Sequence, residues 1–333
     1  MKAITYTEYG SPDVLKLHEV KKPEPKDNEI LIRIRATRVN YGDMLARRFG
    51  SLTSKEFNMP NFLLPLVRLE FGIRKPKKYI LGSEFSGVVE AVGREVKRFK
   101  AGDAVFGYRG SSFGTYAEYL CMSESGMVTH KPSNISFEEA TLIPYGALTA
   151  LSHLKKVNIQ PGQKVLVNGA SGGIGSAGVQ LAKYFGAEVT GVCGTRKLAF
   201  VQALGADKVI DYTKENFMQN GETYDLIYDI LGKSLFEKCQ SSLTPKGTLL
   251  YASFKTKQLI QMMQTSMLTG RKAICVMSSE TLDNLNIITE LVAAGKFKTI
   301  IDKRFPLEET AEAHRYYESG ENMGNIVIIV DSS

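Results

Sequence analysis

The first part of the chain is a series of short extended runs. KAITYTEYG (2–10), EILIRIRATRVN (29–40), SGVVEAVG (86–93), DAVFGY (103–108) and TYAEYLCM (115–122) mix apolar and polar positions and are broken by glycine- and proline-bearing turns. This is the texture of half-buried strands, so residues 1–125 read as a β-rich unit. Within it, FNMPNFLLPLVRLEFGIRKPKKYI (57–80) carries an apolar stretch at helical spacing. LLPLVRLEF suits an amphipathic helix over a cleft, a partner-facing surface or buried packing, and buried packing is the expected outcome.

From about residue 126 the pattern changes to strand, glycine, helix, strand. KVLVNG (164–169) is a short apolar run, a glycine cluster follows, and IGSAGVQLAKYFG (174–186) has helical spacing closed by glycine. AEVTGVCGT (187–195), DKVIDY (207–212), YDLIYDILG (224–232) and GTLLYAS (247–253) continue the strands, with RKLAFVQALGA (196–206) as a helix between the first two. Such alternation argues for a parallel sheet covered on both faces by helices. The tail, 300–330, ends in a β run with no sheet of its own and is expected to rejoin the first unit.

A chain of 333 residues is too long for one ordinary core and suits two domains. Its formal net charge is +7, yet lysine and arginine are scattered apart from RKPKK (74–78). No nucleic-acid motif accompanies the charge, so it reads as a solvated basic face and no nucleic-acid partner is expected. Cys121, Cys193, Cys239 and Cys275 stand far apart, without the Cys-x-x-Cys spacing of zinc lobes. Reduced thiols in a cytoplasmic setting are expected. No apolar run approaches the roughly 20 residues that span a bilayer. Membrane contact is not expected, FLLPLV with RKPKK as a basic amphipathic anchor being the lesser reading.

Chemistry concentrates at NGASGGIGS (168–176). A strand that feeds a glycine turn and opens a helix is the context in which such turns hold dinucleotides. Ser171, Gly172, Gly173 and Ile174 form the bend and the first helical turn. Gly172, Gly173 and Gly175 let a diphosphate approach backbone N–H groups that carry partial positive charge, and Gly178 suits close packing of helix on sheet. The coenzyme is chosen at the end of the second strand, where an acid would take the ribose 2′-OH of NAD. VCGTRK (192–197) has no acid. Gly194, Thr195, Arg196 and Lys197 instead suit the 2′-phosphate of NADP, with Tyr212 flanking the same pocket.

VNYGD (39–43), GSEFSGVVEAVG (82–93), GTYAEY (114–119), LTA (148–150), VLVNGASGGIGSAGVQLAK (165–183), LGADKVIDY (204–212), YDLIYDILG (224–232) and the ending from FPLEETAEAH onward are specific in combination. Together they resemble the medium-chain dehydrogenase/reductase superfamily, in its zinc-free quinone oxidoreductase-like branch, over nearly the whole chain. The resemblance implies an α/β protein: a discontinuous, β-rich, GroES-like catalytic domain (1–125 and 291–333) and a Rossmann-type doubly wound parallel sheet (126–290) that binds NADP(H). It also implies a homodimer joined through Rossmann-domain edges. Zinc alcohol dehydrogenases of the superfamily carry a cysteine where this chain has Asn40, a histidine where it has Ser83, and a third ligand around Pro144 and Tyr145. Glu84 is left as a lone donor, and zinc binds Cys, His and carboxylate sets, so no metal is expected.

Without zinc to polarise a carbonyl, the accessible reaction is hydride delivery to a carbon made electrophilic by conjugation, as in an enone, enal or quinone. Charge then gathers on the carbonyl oxygen, and a donor aimed there is worth roughly 3–4 kcal/mol in the best cases. By family position Asn40 lies beside the nicotinamide, and its amide donates without ionising. Tyr41 and Tyr145 are candidate donors or proton sources. Thr149, in the LTA turn, is a candidate contact to nicotinamide or phosphate, and Met323 and Asn325 are candidates for closing over the nicotinamide. Asp43 is expected to hold its loop, and His18, His130, His153 and His314 to be structural. Two departures stand out: relatives often have a tyrosine where this chain has Leu45, and a lysine where it has Asn325. The 48–80 segment, longer than in compact quinone reductases, is expected to wall an apolar pocket for a small hydrophobic conjugated carbonyl or quinone. The competing reading is a non-catalytic NADPH-binding sensor or scaffold.

Overall fold

The computed structural model describes residues 1–53, 56–57, 59–267 and 270–330. The chain opens with β1 (Lys2–Thr5), β2 (Lys16–Glu19), β3 (Glu29–Val39), α1 (Tyr41–Arg47), α2 (Leu64–Phe71), β4 (Glu84–Val92), β5 (Ala104–Tyr108), β6 (Tyr119–Ser123), β7 (Val128–His130), α3 (Phe137–Ala140) and α4 (Pro144–Val157). It continues through β8 (Lys164–Asn168), α5 (Gly173–Tyr184), β9 (Glu188–Cys193), α6 (Leu198–Ala203), β10 (Lys208–Asp211), β11 (Tyr224–Asp229), α7 (Phe236–Cys239), β12 (Leu243–Tyr251), α8 (Thr256–Ser266) and β13 (Lys272–Cys275). It closes with α9 (Leu282–Ala293), β14 (Ile301–Pro306), α10 (Thr310–Glu318) and β15 (Asn325–Ile329). These elements form two compact units, Met1–Leu52 with Leu66–Tyr145 and Thr281–Ser333, and Thr53–Pro65 with Gly146–Glu280.

The first unit is organised on β3. One edge of this strand pairs antiparallel with β4; the other takes β6 along Glu29–Arg33 and β15 along Ala36–Val39. Ile30, Ile32 and Ile34 alternate along β3 and are buried with Phe85, Val105, Leu120 and Val128, so its period-two pattern builds this core directly. β7 extends the same sheet beyond β5, which carries the β-rich unit past residue 125 and through to Tyr145.

The second unit holds a six-stranded parallel sheet in the order β10-β9-β8-β11-β12-β13. This is the doubly wound 3-2-1-4-5-6 order, in which the direction of strand addition reverses between β8 and β11 and leaves a crevice at their carboxyl ends. The strands read as near-continuous apolar runs because helices cover the sheet: Val165, Leu166, Val167, Ile227 and Leu249 are fully buried.

One expectation fails in the 57–80 segment. Phe71 of α2 stacks on Phe49 at 5.1 Å between ring centroids and meets Phe113 edge-on at 5.8 Å, but Leu66 and Leu69 are 65% and 61% exposed. The aromatic cluster packs one side of the helix, and nothing among the described residues covers the other.

Candidate active site

At the reversal point of the second unit, Asn168 ends β8 and ties it to β11. Its Nδ2 donates to Asp229 Oδ1 and to Ser234 Oγ, each at 3.2 Å. Asp229 is fully buried. Burial raises its pKa, opposed by N–H donation from Ser234 and Leu231. The turn then lifts over β9, with Gly169 and Ala170 N–H both donating to Val192 O. Gly169 has φ of +93°, open to glycine and strained for other residues. A Cβ on Gly175 would lie 2.0 Å from Gly169 O, and one on Gly146 would lie 2.3 Å from Gly173 O. Helix α5 and the start of α4 therefore press directly against the turn. Gly172 differs: its Cβ would meet nothing nearer than Gly169 O at 3.7 Å, and as N-cap of α5 it places no side chain over the helix end. Ser171, Gly172, Gly173 and Ile174 thus present a helix terminus whose first N–H groups have no intrahelical acceptor. Thr149 is buried one helical turn beyond Gly146 on α4.

The coenzyme-selecting loop follows β9. Gly194, Thr195, Arg196, Lys197 and Tyr212 come together here, since a Cβ on Gly194 would stand 3.3 Å from Tyr212 Oη. Arg196 is exposed and pairs with no acid among the described residues. The structure adds Asp211, at the end of β10. Its Oδ2 accepts the Thr195 hydroxyl at 2.6 Å and its Oδ1 accepts the Thr213 hydroxyl at 2.7 Å and N–H at 3.0 Å. The Thr195 hydroxyl bond leads the causes that hold this carboxyl below its ordinary pKa. An acid is therefore present beside the loop, but its oxygens are occupied.

In the first unit, the strand-to-helix corner at Asn40 forms a buried polar knot. Asn40 is the N-cap of α1: its Oδ1 accepts Asp43 N–H, and Asp43 Oδ2 accepts Asn40 N–H in return, a reciprocal capping box. Asn40 Nδ2 donates to Ser83 Oγ at 2.8 Å and Glu84 Oε2 at 3.0 Å. Both amide hydrogens are bonded within the fold in this arrangement. Glu84 Oε2 also lies 3.4 Å from Arg38 Nε, and its Oε1 accepts Tyr145 N–H at 2.8 Å. Asp43 Oδ2 takes a further bond from Tyr116 Oη, whose oxygen also lies 3.1 Å from His314 Nε2. Asp43 Oδ1 is buried with no hydrogen-bond partner among the described residues. Burial, with Glu84 nearby, pushes the Asp43 carboxyl up to about 8, and burial with Arg47 nearby pushes His314 down to about 3, so His314 is neutral. Tyr145 is half-buried; burial, with Tyr317 and Glu84 nearby, raises its phenol well above the ordinary value. Tyr145 interacts electrostatically with Tyr317, Glu84, Arg38 and Tyr41, so the two candidate tyrosines and Tyr317 share one electrostatic environment. Met323 is exposed; Asn325 spends its N–H and Nδ2 on Ile300 O, at 3.0 and 3.1 Å.

Comparison with known proteins places this geometry. Residues 26–133 match the alcohol dehydrogenase GroES-like domain and residues 204–328 the zinc-binding dehydrogenase family. A 2-methylene-furan-3-one reductase of Solanum lycopersicum is 34% identical over 340 residues, spanning 98% of this chain and 79% of that protein. The chain belongs to the medium-chain dehydrogenase/reductase superfamily, in its quinone-oxidoreductase-like branch. The quinone oxidoreductase of Coxiella burnetii superposes with a TM-score of 0.83 at 30% identity, covering 99% of both chains. That of Escherichia coli, solved in complex with NADPH, superposes with 0.80 at 25% identity, covering 99% of this chain and 100% of the other. Asn40, Ser83 and the Pro144–Tyr145 step, where the resemblance would place zinc ligands, carry no thiol, imidazole or carboxylate. Glu84, the remaining donor, is enclosed by Asn40, Arg38 and Tyr145. That donor set does not fit zinc, and among the described residues no group of three or more His, Cys, Asp or Glu side chains is placed to hold a metal.

Arg38, Tyr116, Tyr317 and Asp211 escaped the sequence reading, whereas His314 was expected to be structural. A usable signal existed for two of them: an arginine at the end of an apolar strand, and an acid closing the third strand of a dinucleotide fold.

Proposed function

We propose that the protein is an NADPH-dependent oxidoreductase that reduces α,β-unsaturated carbonyls or quinones without a metal ion. The observation that carries this reading is the open glycine turn at the sheet reversal, followed by an Arg196-bearing loop whose one nearby acid is already occupied. The glycine cradle and the unshared Arg196 charge fit a dinucleotide diphosphate and a 2′-phosphate. The names of the relatives, a furanone reductase and quinone oxidoreductases, support the acceptor class.

When bound, NADPH supplies the hydride. Ser171 to Ile174 hold the diphosphate through backbone N–H groups and the helix terminus. Gly194, Thr195, Arg196 and Lys197 take the 2′-phosphate, with Tyr212 beside them. Thr149, Met323 and Asn325 remain proposed coenzyme contacts. In the first unit the polar knot fixes the corner from which Tyr41 projects and anchors the Tyr145 backbone. The Tyr145 hydroxyl, kept protonated by burial and by Tyr317 and Glu84, takes the role first assigned to Asn40: it donates to the carbonyl oxygen as charge gathers there.

Two further parts of the reading concern assembly and setting. β13 is an edge strand of the parallel sheet, and the neighbouring α8 segment exposes Ile260, Met263 and Met267, the last 89% exposed. That uncovered face beside an open edge supports a homodimer. The four unbonded cysteines suit a reducing, cytoplasmic setting, and no helix among the described residues is long and apolar enough to cross a membrane.

The test is coenzyme oxidation with a panel of quinones, enones and enals, using NADPH and NADH in parallel. Arg196→Ala should weaken NADPH about 10- to 100-fold and leave NADH nearly unchanged. Tyr145→Phe should lower kcat about 100-fold without altering NADPH affinity. Tight NADPH binding with no turnover on any acceptor would favour the sensor reading instead.

A further inference from the structure

The uncovered stripe on α2 plays no part in the chemistry described above. Leu66 and Leu69, one helical turn apart on α2, are 65% and 61% exposed, and Ile73, in the turn that follows the helix, is 69% exposed. The inner side is full. Phe71 rests on Phe49 and Phe113, and Tyr9 Oη donates to Phe71 O at 3.0 Å and Gly72 O at 2.8 Å. Packing behind the helix therefore holds the apolar stripe outward.

The turn after α2 sets positive charge beside that stripe. Gly72 has φ of +111°, and a Cβ there would lie 2.0 Å from Lys75 O, so only glycine allows the chain to fold back this tightly. Lys77 N–H closes the turn on Phe71 O at 2.9 Å. The side chains of Lys77 and Lys78 donate to the carbonyls of Leu69 and Ser111, and neither forms an ion pair among the described residues. Arg74 and Lys75 are exposed and pair with no acid among the described residues. Glu70, the nearby acid, accepts the Ser111 hydroxyl at 2.7 Å.

The geometry points to α2 and its basic turn as a docking surface for an anionic lipid bilayer. Leu66, Leu69 and Ile73 enter the boundary between headgroups and acyl chains, and the four cations pair with lipid phosphates. A second copy of the chain is the poorer occupant, because a two-fold contact on this face would set the same cations against each other. The sequence alone ranked bilayer contact below buried packing; the exposure of the stripe reverses that order.

Sedimentation of the full chain with vesicles of phosphatidylcholine, and of phosphatidylcholine mixed with phosphatidylglycerol, tests the assignment. Binding to the anionic vesicles that falls with added salt is expected. Arg74→Glu with Lys75→Glu should weaken it at least about tenfold, and Leu66→Ser with Leu69→Ser should abolish it, both with unchanged melting temperatures. No sedimentation of the unaltered chain, or equal sedimentation of both variants, overturns the proposal. So does light scattering in which Leu66→Ser with Leu69→Ser converts a dimer to a monomer, since the face would then belong to a second copy.

Discussion

The glycine turn and the Asn40 corner both carry family motifs, yet they use their polar groups in opposite ways. At the turn, the backbone N–H groups of a helix end stand uncapped by any side chain, and in the loop after β9 Arg196 pairs with no acid among the described residues. At the corner, Asn40 commits all of its amide atoms, to Asp43, Ser83 and Glu84. Groups left uncommitted are available to a ligand; groups already paired hold the fold. Hydrogen-bond accounting thus gives the two motifs different starting points, and mutagenesis can test whether they play different roles.

The sharpest way to break this contrast is at Gly175. Gly175→Val forces a side chain into the 2.0 Å gap beside Gly169 O and should reduce NADPH affinity by more than about 1,000-fold, with a clear loss of stability; calorimetry and thermal melting read both. Asn40→Ala comes next. It removes a helix cap and strips partners from buried Ser83 and Glu84, an expected loss of about 3–4 kcal/mol in denaturant titration. If Asn40 instead acts on substrate, stability would barely move while kcat collapses.

Asp43→Asn tests the electrostatics of the corner. The carboxyl rises from an ordinary 3.8 to about 8 in the folded chain, so between those values the folded state holds a proton that the unfolded state has lost. Its contribution to stability is greatest below pH 4 and falls by about 1.4 kcal/mol per pH unit up to pH 8. The amide cannot ionise, so the variant should gain on the unaltered protein as pH rises through that window. A parallel pair of stability curves would count against a buried proton on Asp43. The smallest effect is expected at Gly172→Ala. Space exists for the methyl group in the turn, so melting should be unchanged while NADPH binds about tenfold more weakly, the result expected of the diphosphate site proposed above.

What the sequence made legible follows from how local each signal is. The strand–glycine–helix succession at 164–186 is written in adjacent residues, and the parallel sheet of the second unit follows from it. The role of Asn40 is not, because Ser83 and Glu84 lie 43 and 44 residues away in the chain. His314 is 198 residues from its partner Tyr116, and no local pattern announces such a bond. Asp211 escaped because coenzyme choice was sought at the end of the second strand, whereas this carboxylate arrives from the third and reaches Thr195 across the sheet. For α2 the periodicity correctly showed a helix with an apolar side, but a single stripe cannot say whether neighbouring chain will cover it.

The pairing of β15 with β3 sets a timetable for synthesis. Val39 emerges early from the ribosome but meets its register partner, Ile326, only when translation is almost complete. The parallel sheet between them needs no strand from outside 164–275, so it can consolidate while β3 of the first unit still waits for β15 along Ala36–Val39. Nascent chains arrested before residue 325 should accordingly protect the nucleotide-binding half from protease and leave the amino-terminal half open to cleavage.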